Sequence, residues 1–259
     1  MVLGARVRAA AVTAKGRRIG IIAALPGELK PLVNTGWERL PTAKGSGVSM
    51  WQTTYGDDEV LAVCAGMGPA AALRAFSAAE YRGSLDVVLS VGWAGALQTH
   101  SVPGQVYIPS AVVDAQTGER YQLSDGQRKL ILVSTAHVAM EKEKHRLATS
   151  YSGAFVDMES ATVLRLAGMR GIPACCLKAV SDELGEDLPN FGNFTDEQGQ
   201  LRMLPFLGFV AFNPRYWGPL GRLGRNSSKG AHALASAIIT LLTGPKDLQE
   251  INRTGNVDW

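Results

Sequence analysis

Short apolar runs, punctuated by glycine and proline and followed by helical patterns, set the rhythm of the chain. Ile19-Gly20-Ile21-Ile22-Ala23-Ala24-Leu25 is the first run and reads as a strand covered on both faces. Pro26 and Glu28 behind it predict a helix opening with proline near its first turn. Trp51 to Tyr55 and Val60 to Cys64 flank Gly56-Asp57-Asp58, which is the pattern of a hairpin. Gly66-Met67-Gly68 leads into an Ala-rich helix over Pro69 to Tyr81. Asp86 to Val91 predicts another buried strand, ending in Gly92-Trp93-Ala94-Gly95-Ala96-Leu97. Gln105 to Ile108 and Leu130 to Ser134 read as two more strands, and Glu141-Lys142-Glu143-Lys144 as the wet face of a helix.

Further on, an apolar run stops at Phe155-Val156-Asp157-Met158-Glu159, and a helix over Ser160 to Met169 is stopped by Gly171 and Pro173. Leu177-Lys178-Ala179-Val180 reads as a buried strand with Ser181-Asp182 at its carboxyl end. Strands alternating with helices predict an α/β fold, three layers α/β/α around a mixed, mostly parallel sheet. From Asn190 the pattern changes. Leu201 to Leu223 is rich in aromatics, glycine and proline, and Ala231 to Leu242 predicts a final helix. The expected organisation is a basic extension over 1–18, one domain over 19–244 with an aromatic-rich insertion at 201–223, and a tail over 245–259.

Composition narrows the function. A formal charge of +3 is too small to argue for nucleic acid. No run approaches the length of a membrane-spanning helix. Arg6 and Arg8 interrupt any apolar core at the front, so the first residues read as a solvated basic tail rather than a secretory signal. Cys64, Cys175 and Cys176 are an odd set, and adjacent cysteines on a strand face opposite ways, which fits a reducing cytoplasm. The four histidines are scattered without metal-ligand spacing, so no metal is expected. Neither a Gly-x-Ser-x-Gly elbow nor a Walker loop is present.

Glu28, Glu159 and Asp182 each have a bland reading when taken singly. The first suits an exposed helical turn, the second a helix start, the third a cap. Together they carry more, because all three fall where strand ends converge, as does Gly92, and ligands of such sheets collect there.

Gly20 through Glu28, Gly66-Met67-Gly68, Gly92 to Leu97, Val156-Asp157-Met158-Glu159 and Ala179-Val180-Ser181-Asp182 resemble the purine nucleoside phosphorylase superfamily. Within it the chain is most similar to nucleosidases acting on methylthioadenosine and adenosylhomocysteine. Leu223-Gly224-Arg225-Asn226-Ser227 resembles hopanoid-associated phosphorylase-like proteins, which act on adenosylhopane. The resemblance implies cleavage of an N-glycosidic bond to adenine, through an oxocarbenium-like sugar with charge building on the base. Asp182 matches the acid that protonates the base, a role that demands a raised pKa from burial or a neighbouring acid. Glu159 matches the carboxylate that accepts the ribose hydroxyls, and Met158 the thioether packed on the sugar, with Asp157 as a partner. Glu28 matches the group that activates water. Gly66 and Gly68 match a turn near ribose and nucleophile, and Gly92, Trp93, Ser181 and Val138 the surroundings of the base.

The chain departs from the family at Trp93, where a small hydroxyl residue is usual, and after Ser134, where Val138 stands for a stacking Phe. Glu28 replaces an arginine of typical phosphorylases, which tilts the reading toward water. No cofactor is implied, with inorganic phosphate as co-substrate if the chain is a phosphorylase. The resemblance also implies a homodimer or larger assembly binding a small nucleoside. Leu201 to Leu223 has two readings, an insertion packed over the core or an apolar lid touching the inner membrane face through Tyr216 and Trp217. Two rivals stay open: an NAD-binding oxidoreductase resting on Gly66 to Ala71, and a non-catalytic nucleoside-binding protein at the membrane surface.

Overall fold

The computed structural model of the chain describes residues 16–123, 129–186, 189, 191–196 and 198–244. Strand β1 (Arg18–Ala23) leads into helix α1 (Pro26–Val33), followed by β2 (Glu38–Leu40), β3 (Ser49–Tyr55) and β4 (Asp58–Cys64). Helix α2 (Pro69–Tyr81) connects to β5 (Val87–Ala96), then come β6 (Val106–Tyr107), β7 (Ala111–Asp114), β8 (Arg120–Gln122) and β9 (Ile131–Ser134). Helix α3 (Glu141–Tyr151), β10 (Phe155–Asp157), α4 (Ser160–Met169) and β11 (Ala174–Asp182) complete the sheet. Helices α5 (Met203–Ala211) and α6 (Trp217–Thr243) close the described chain.

The sheet is mixed and runs in the order β2-β3-β4-β1-β5-β10-β9-β7-β8, with β11 beside β5 and β6 attached to β11. Its middle is parallel, where β5 lies between β1 and β11. The far end of β5 turns to pair antiparallel with β10 through Gly95 and Ala96. Gly92 therefore lies inside β5 rather than at its end, correcting the expected boundary. A register shift between Val180 and Asp182 breaks the β11–β5 ladder at the last residues of β11. Such a bulge re-aims side chains, and here it lets both Ser181 and Asp182 reach one cavity.

Two-residue periodicity in the central strands builds the layers. Ile19, Ile21, Val60, Ala62 and Leu89 pack with Leu29 and Leu32 of α1 and Leu234 and Ile238 of α6. Ile22, Leu61, Val63 and Val88 face the other way, onto Ala72, Ala75 and Phe76 of α2 and Val163 of α4. Helix α3 covers the β9 region through Leu147, against Val133 and Val156. Helix α6 spans 27 residues, much longer than the expected Ala231 to Leu242, because its first turns arise inside the aromatic segment. Where it crosses β11 a side chain at Gly230 would sit 2.9 Å from the Ala179 methyl.

The ends of the chain differ from expectation. Arg17 and Arg18, read as part of a solvated extension, pair with Asp58 and Glu59 along β4. The remainder of that extension, over 1–15, and the tail over 245–259 lie outside the described residues. Among the described residues no helix is long and apolar enough to cross a membrane.

Phe76 is fully buried between α2 and the sheet, with the Arg170 guanidinium 5.1 Å from its ring centre. Phe76→Ala should cost about 3–5 kcal/mol of stability, read as a shifted urea midpoint. A loss under about 1 kcal/mol would mean that this layer is not packed as described.

Candidate active site

A cavity of about 300 Å³ opens at the carboxyl ends of β1, β10 and β11, and Glu28, Asp157, Glu159 and Asp182 all line it. All four residues are buried. Glu28 sits in the first turn of α1, and its carboxylate is held by the chain itself. One oxygen accepts the N–H groups of Ala24 and Leu25, both at 2.8 Å, and the other accepts the Trp93 N–H at 2.8 Å. Gly92 makes this fit, because a Cβ there would lie 2.6 Å from Glu28 Oε1 and its φ is +141°. Gly92 thus packs behind Glu28 and does not line the cavity, whereas Trp93 does.

Glu159 stands at the N-cap position of α4 yet does not cap it. Its side chain crosses to the turn after β4, where Oε1 accepts the Gly68 N–H at 2.7 Å. That contact bears on the dinucleotide reading. A carboxylate occupies the start of α2, where a pyrophosphate would have to lie. Gly68 lines a second hollow of about 270 Å³, walled from the main cavity by Met67, Val138 and Met158. Gly66 lines neither, and its N–H bonds to the Ala24 carbonyl.

Asp157 faces inward from the end of β10. It accepts from Ser134, from the Ser160 hydroxyl at 2.6 Å and N–H at 3.0 Å, and from Lys178 Nζ at 2.9 Å. Lys178 is 1% exposed and sits mid-strand in β11, with its ammonium also 3.3 Å from the Val91 carbonyl. Burial works most strongly against its charge, but the Asp157 carboxylate together with Cys176, Glu159 and Glu28 outweighs burial and keeps its pKa above the ordinary lysine value. Burial also opposes ionisation of Asp157, yet the Lys178 charge and the Ser134 and Ser160 hydrogen bonds hold its carboxyl below the usual range.

The two glutamates go the other way. Burial pushes the Glu159 carboxyl up to about 8, with the Asp157 charge adding and Lys178 opposing. Burial raises Glu28 as well, against hydrogen bonds from Leu25 and Trp93 and the charge of Lys178. Neighbouring carboxyls with divergent pKa values are the usual furniture of acid–base sites.

Asp182 meets a cation. One oxygen pairs with the ammonium of Lys144 from α3, and the other accepts the Ser181 hydroxyl at 2.6 Å. Asp182 is buried as its expected role required, but its charged neighbour is a lysine rather than an acid. Lys144 itself corrects the reading of Glu141 to Lys144 as a wet face. It is 6% exposed and lies one turn from the fully buried Leu147, so both point inward. Lys144, Lys178 and Phe191 are the site residues that sequence reasoning missed. A lysine inside the apolar run Leu177 to Val180 was the one readable signal among them, since a charge is not buried without a partner.

A family model described as the phosphorylase superfamily matches residues 18–141 and 129–203. The chain belongs to the phosphorylase superfamily. No curated protein sequence matches it. The superfamily fold recurs in the apo 5′-methylthioadenosine nucleosidase of Arabidopsis thaliana, 18% identical, covering 90% of this chain and 98% of that one, TM-score 0.66. It recurs in the 5′-methylthioadenosine/S-adenosyl homocysteine nucleosidase of Helicobacter pylori, at 15% identity, 88% and 99% coverage and TM-score 0.65. Futalosine hydrolase of Helicobacter pylori gives 15% identity, 87% and 97% coverage and TM-score 0.64. At such identities the likeness establishes the superfamily's three-layer fold.

Within that superfamily frame the Glu159 shift has a measurable consequence. The unfolded carboxyl ionises near 4.5 and the folded one near 8. The contribution of this group to stability is whole below 4.5 and is lost as pH rises through that window, because only the unfolded chain gains the charge freely. Glu159→Gln removes the titration. Its melting temperature relative to wild type should therefore climb between pH 5 and pH 8, in differential scanning fluorimetry. A difference independent of pH would contradict the buried, resisted ionisation of Glu159.

Proposed function

We propose that this chain cleaves the N-glycosidic bond of an adenine nucleoside, with water as nucleophile, and releases the base. One observation carries the reading: Glu28, Glu159 and Asp182, from three separated parts of the sequence, line a single cavity large enough for a nucleoside. The residue types suit the reaction. Asp182 donates toward the departing base, and Glu159, whose ionisation burial resists in the empty site, accepts the ribose hydroxyls and is drawn toward its charged form as positive charge develops on the sugar. Glu28 takes the proton of the attacking water, and its raised carboxyl is the kind of base that works near neutrality. The absence of an arginine after β1 favours water over phosphate, and the named functions of the nucleosidases and futalosine hydrolase sharing the fold agree with hydrolysis. No cofactor takes part.

The far wall of the cavity supports an apolar group at the 5′ position of the sugar. Met140, Pro189, Phe191, Leu201 and Leu223 line it. Methylthioadenosine, adenosylhomocysteine and an adenosyl lipid such as adenosylhopane are the substrates this reading takes. Incubation with each, with and without phosphate, should release adenine independently of phosphate. Asp182→Asn and Glu28→Gln should each slow release by about 10²- to 10⁴-fold. Nucleoside binding without release would leave a non-catalytic binding protein instead, and phosphate-dependent release a phosphorylase.

A membrane-facing lid belongs to the same proposal, in a cytoplasmic homodimer of the kind the superfamily resemblance implies. Phe191 in the cavity wall stacks on Phe206 of α5, whose outer side leaves Leu204 84% and Leu207 53% exposed. Phe212 is 88% and Trp217 57% exposed beside them. Residues 201–244 contain Arg202, Arg215, Arg222, Arg225 and Lys229 and not one Asp or Glu. Exposed apolar surface ringed by cations suits an anionic bilayer surface. The chain should float with vesicles containing phosphatidylglycerol, and Leu204→Asp with Phe212→Asp should abolish flotation. Equal flotation of both proteins, or of neither, would remove the membrane contact.

A further inference from the structure

The ion pair between Lys144 and Asp182 has no explanation in stability. Both groups are buried, and withdrawing two charges from water costs as much as or more than their attraction returns, so apolar residues would serve the fold equally well. The lysine is also oriented. Helix α3 turns Lys144 inward with Leu147, and its ammonium reaches the Glu183 carbonyl at 3.3 Å as well as Asp182. Both side chains line the cavity, beside Ser181.

The remaining contacts of Asp182 narrow the role further. Its Oδ1 accepts from the Ser181 hydroxyl, which holds that oxygen but is far too weak an acid to surrender its proton. Its Oδ2 meets only Lys144 among the described residues. An acid that protonates a leaving base needs a proton on the oxygen that faces the base, and the ammonium is the group placed to supply it. We propose that Lys144 is the proton-supplying partner of Asp182, so that the acid of this site is a Lys–Asp pair rather than a lone carboxyl.

This inference rests on the nucleoside-cleaving reading above. The bond between the sugar carbon and the base nitrogen breaks, and its electron pair leaves with the base. The Lys144 ammonium passes a proton to the Asp182 carboxylate, which delivers it to a ring nitrogen of the base. Water adds to the sugar carbon and gives its proton to Glu28. The neutral amine of Lys144 then takes a proton from solvent and Glu28 returns one to it, which closes the cycle with water as the sole reactant consumed. Between turnovers the pair is an ammonium and a carboxylate with no net charge, and delivery of the proton to the base leaves an amine beside the carboxylate.

The test is a double-mutant cycle in the full-length chain, read as kcat/KM for adenine release from methylthioadenosine, or from whichever of the three nucleosides wild type cleaves best. Lys144→Met should lower it by ~10²-fold or more, within the span that general acids contribute. Lys144→Arg, which keeps the charge and the hydrogen bond to Asp182 but surrenders its proton poorly, should recover only part of that loss. In the Asp182→Asn background the further loss from Lys144→Met should be under about threefold, since a residue acting through Asp182 has nothing left to act on. Thermal unfolding of each variant shows that the fold persists. A Lys144→Met enzyme as fast as wild type, or faster, would show that Asp182 manages its own proton and overturns the proposal. So would a Lys144→Met loss of equal size with and without Asp182, which marks a role independent of it. A wild-type chain that releases no base from any of these nucleosides fails at the earlier step and sinks the cleavage reading itself.

Discussion

Three carboxyls, Glu28, Asp157 and Glu159, are buried around the one ammonium of Lys178, and that imbalance governs the site. An ion taken from water costs several kcal/mol unless it is paired and hydrogen-bonded, and one lysine cannot pair three acids. The groups therefore divide the available stabilisation unequally. Asp157, in direct contact with Lys178 and two serines, keeps its charge. Glu159 and Glu28 receive backbone N–H groups and only a distant share of the lysine, and their ionisation is resisted. A spread of proton affinities within one hollow follows from topology alone, before any ligand arrives.

The fold is arranged to keep that imbalance in place. Strand β11 supplies Lys178 in its middle and Asp182 at its end, and a bulge aims the last two residues into the cavity. Strand β5 changes partners along its length, from β1 to β10, and this opens the sheet where Glu28 and Glu159 approach from opposite sides. Helix α3 brings in the second cation, Lys144, which meets Asp182 apart from the cluster around Lys178. The Lys144–Asp182 pair and the carboxyls around Lys178 are thereby kept electrically distinct.

Much of this was legible in the residues, for local reasons. Both faces of β1, β4 and β5 are buried, so their apolar runs were continuous and their positions clear. The three acids stood at element ends, where a sheet of this kind gathers its ligands, and they share one cavity. What stayed hidden depended on distant packing. Lys144 sits in a stretch whose charge pattern is that of a wet helix, and only the docking of α3 over β9 buries it. Gly92 looked like a strand end because nothing local reveals that a carboxylate presses where its side chain would be. Phe191 reaches the cavity from a short turn far from the motifs, and the last helix began earlier because the aromatic segment folds partly into it.

All of this requires the cavity to hold a nucleoside in one orientation. The most direct measurement is a crystal structure of the chain with an uncleavable adenosine analogue in which carbon joins sugar to base. The ribose hydroxyls should lie against Glu159, the base against Asp182 and Lys144, and the sugar carbon should face Glu28. An analogue bound with its base at Glu159, or found anywhere outside this cavity, would contradict the account.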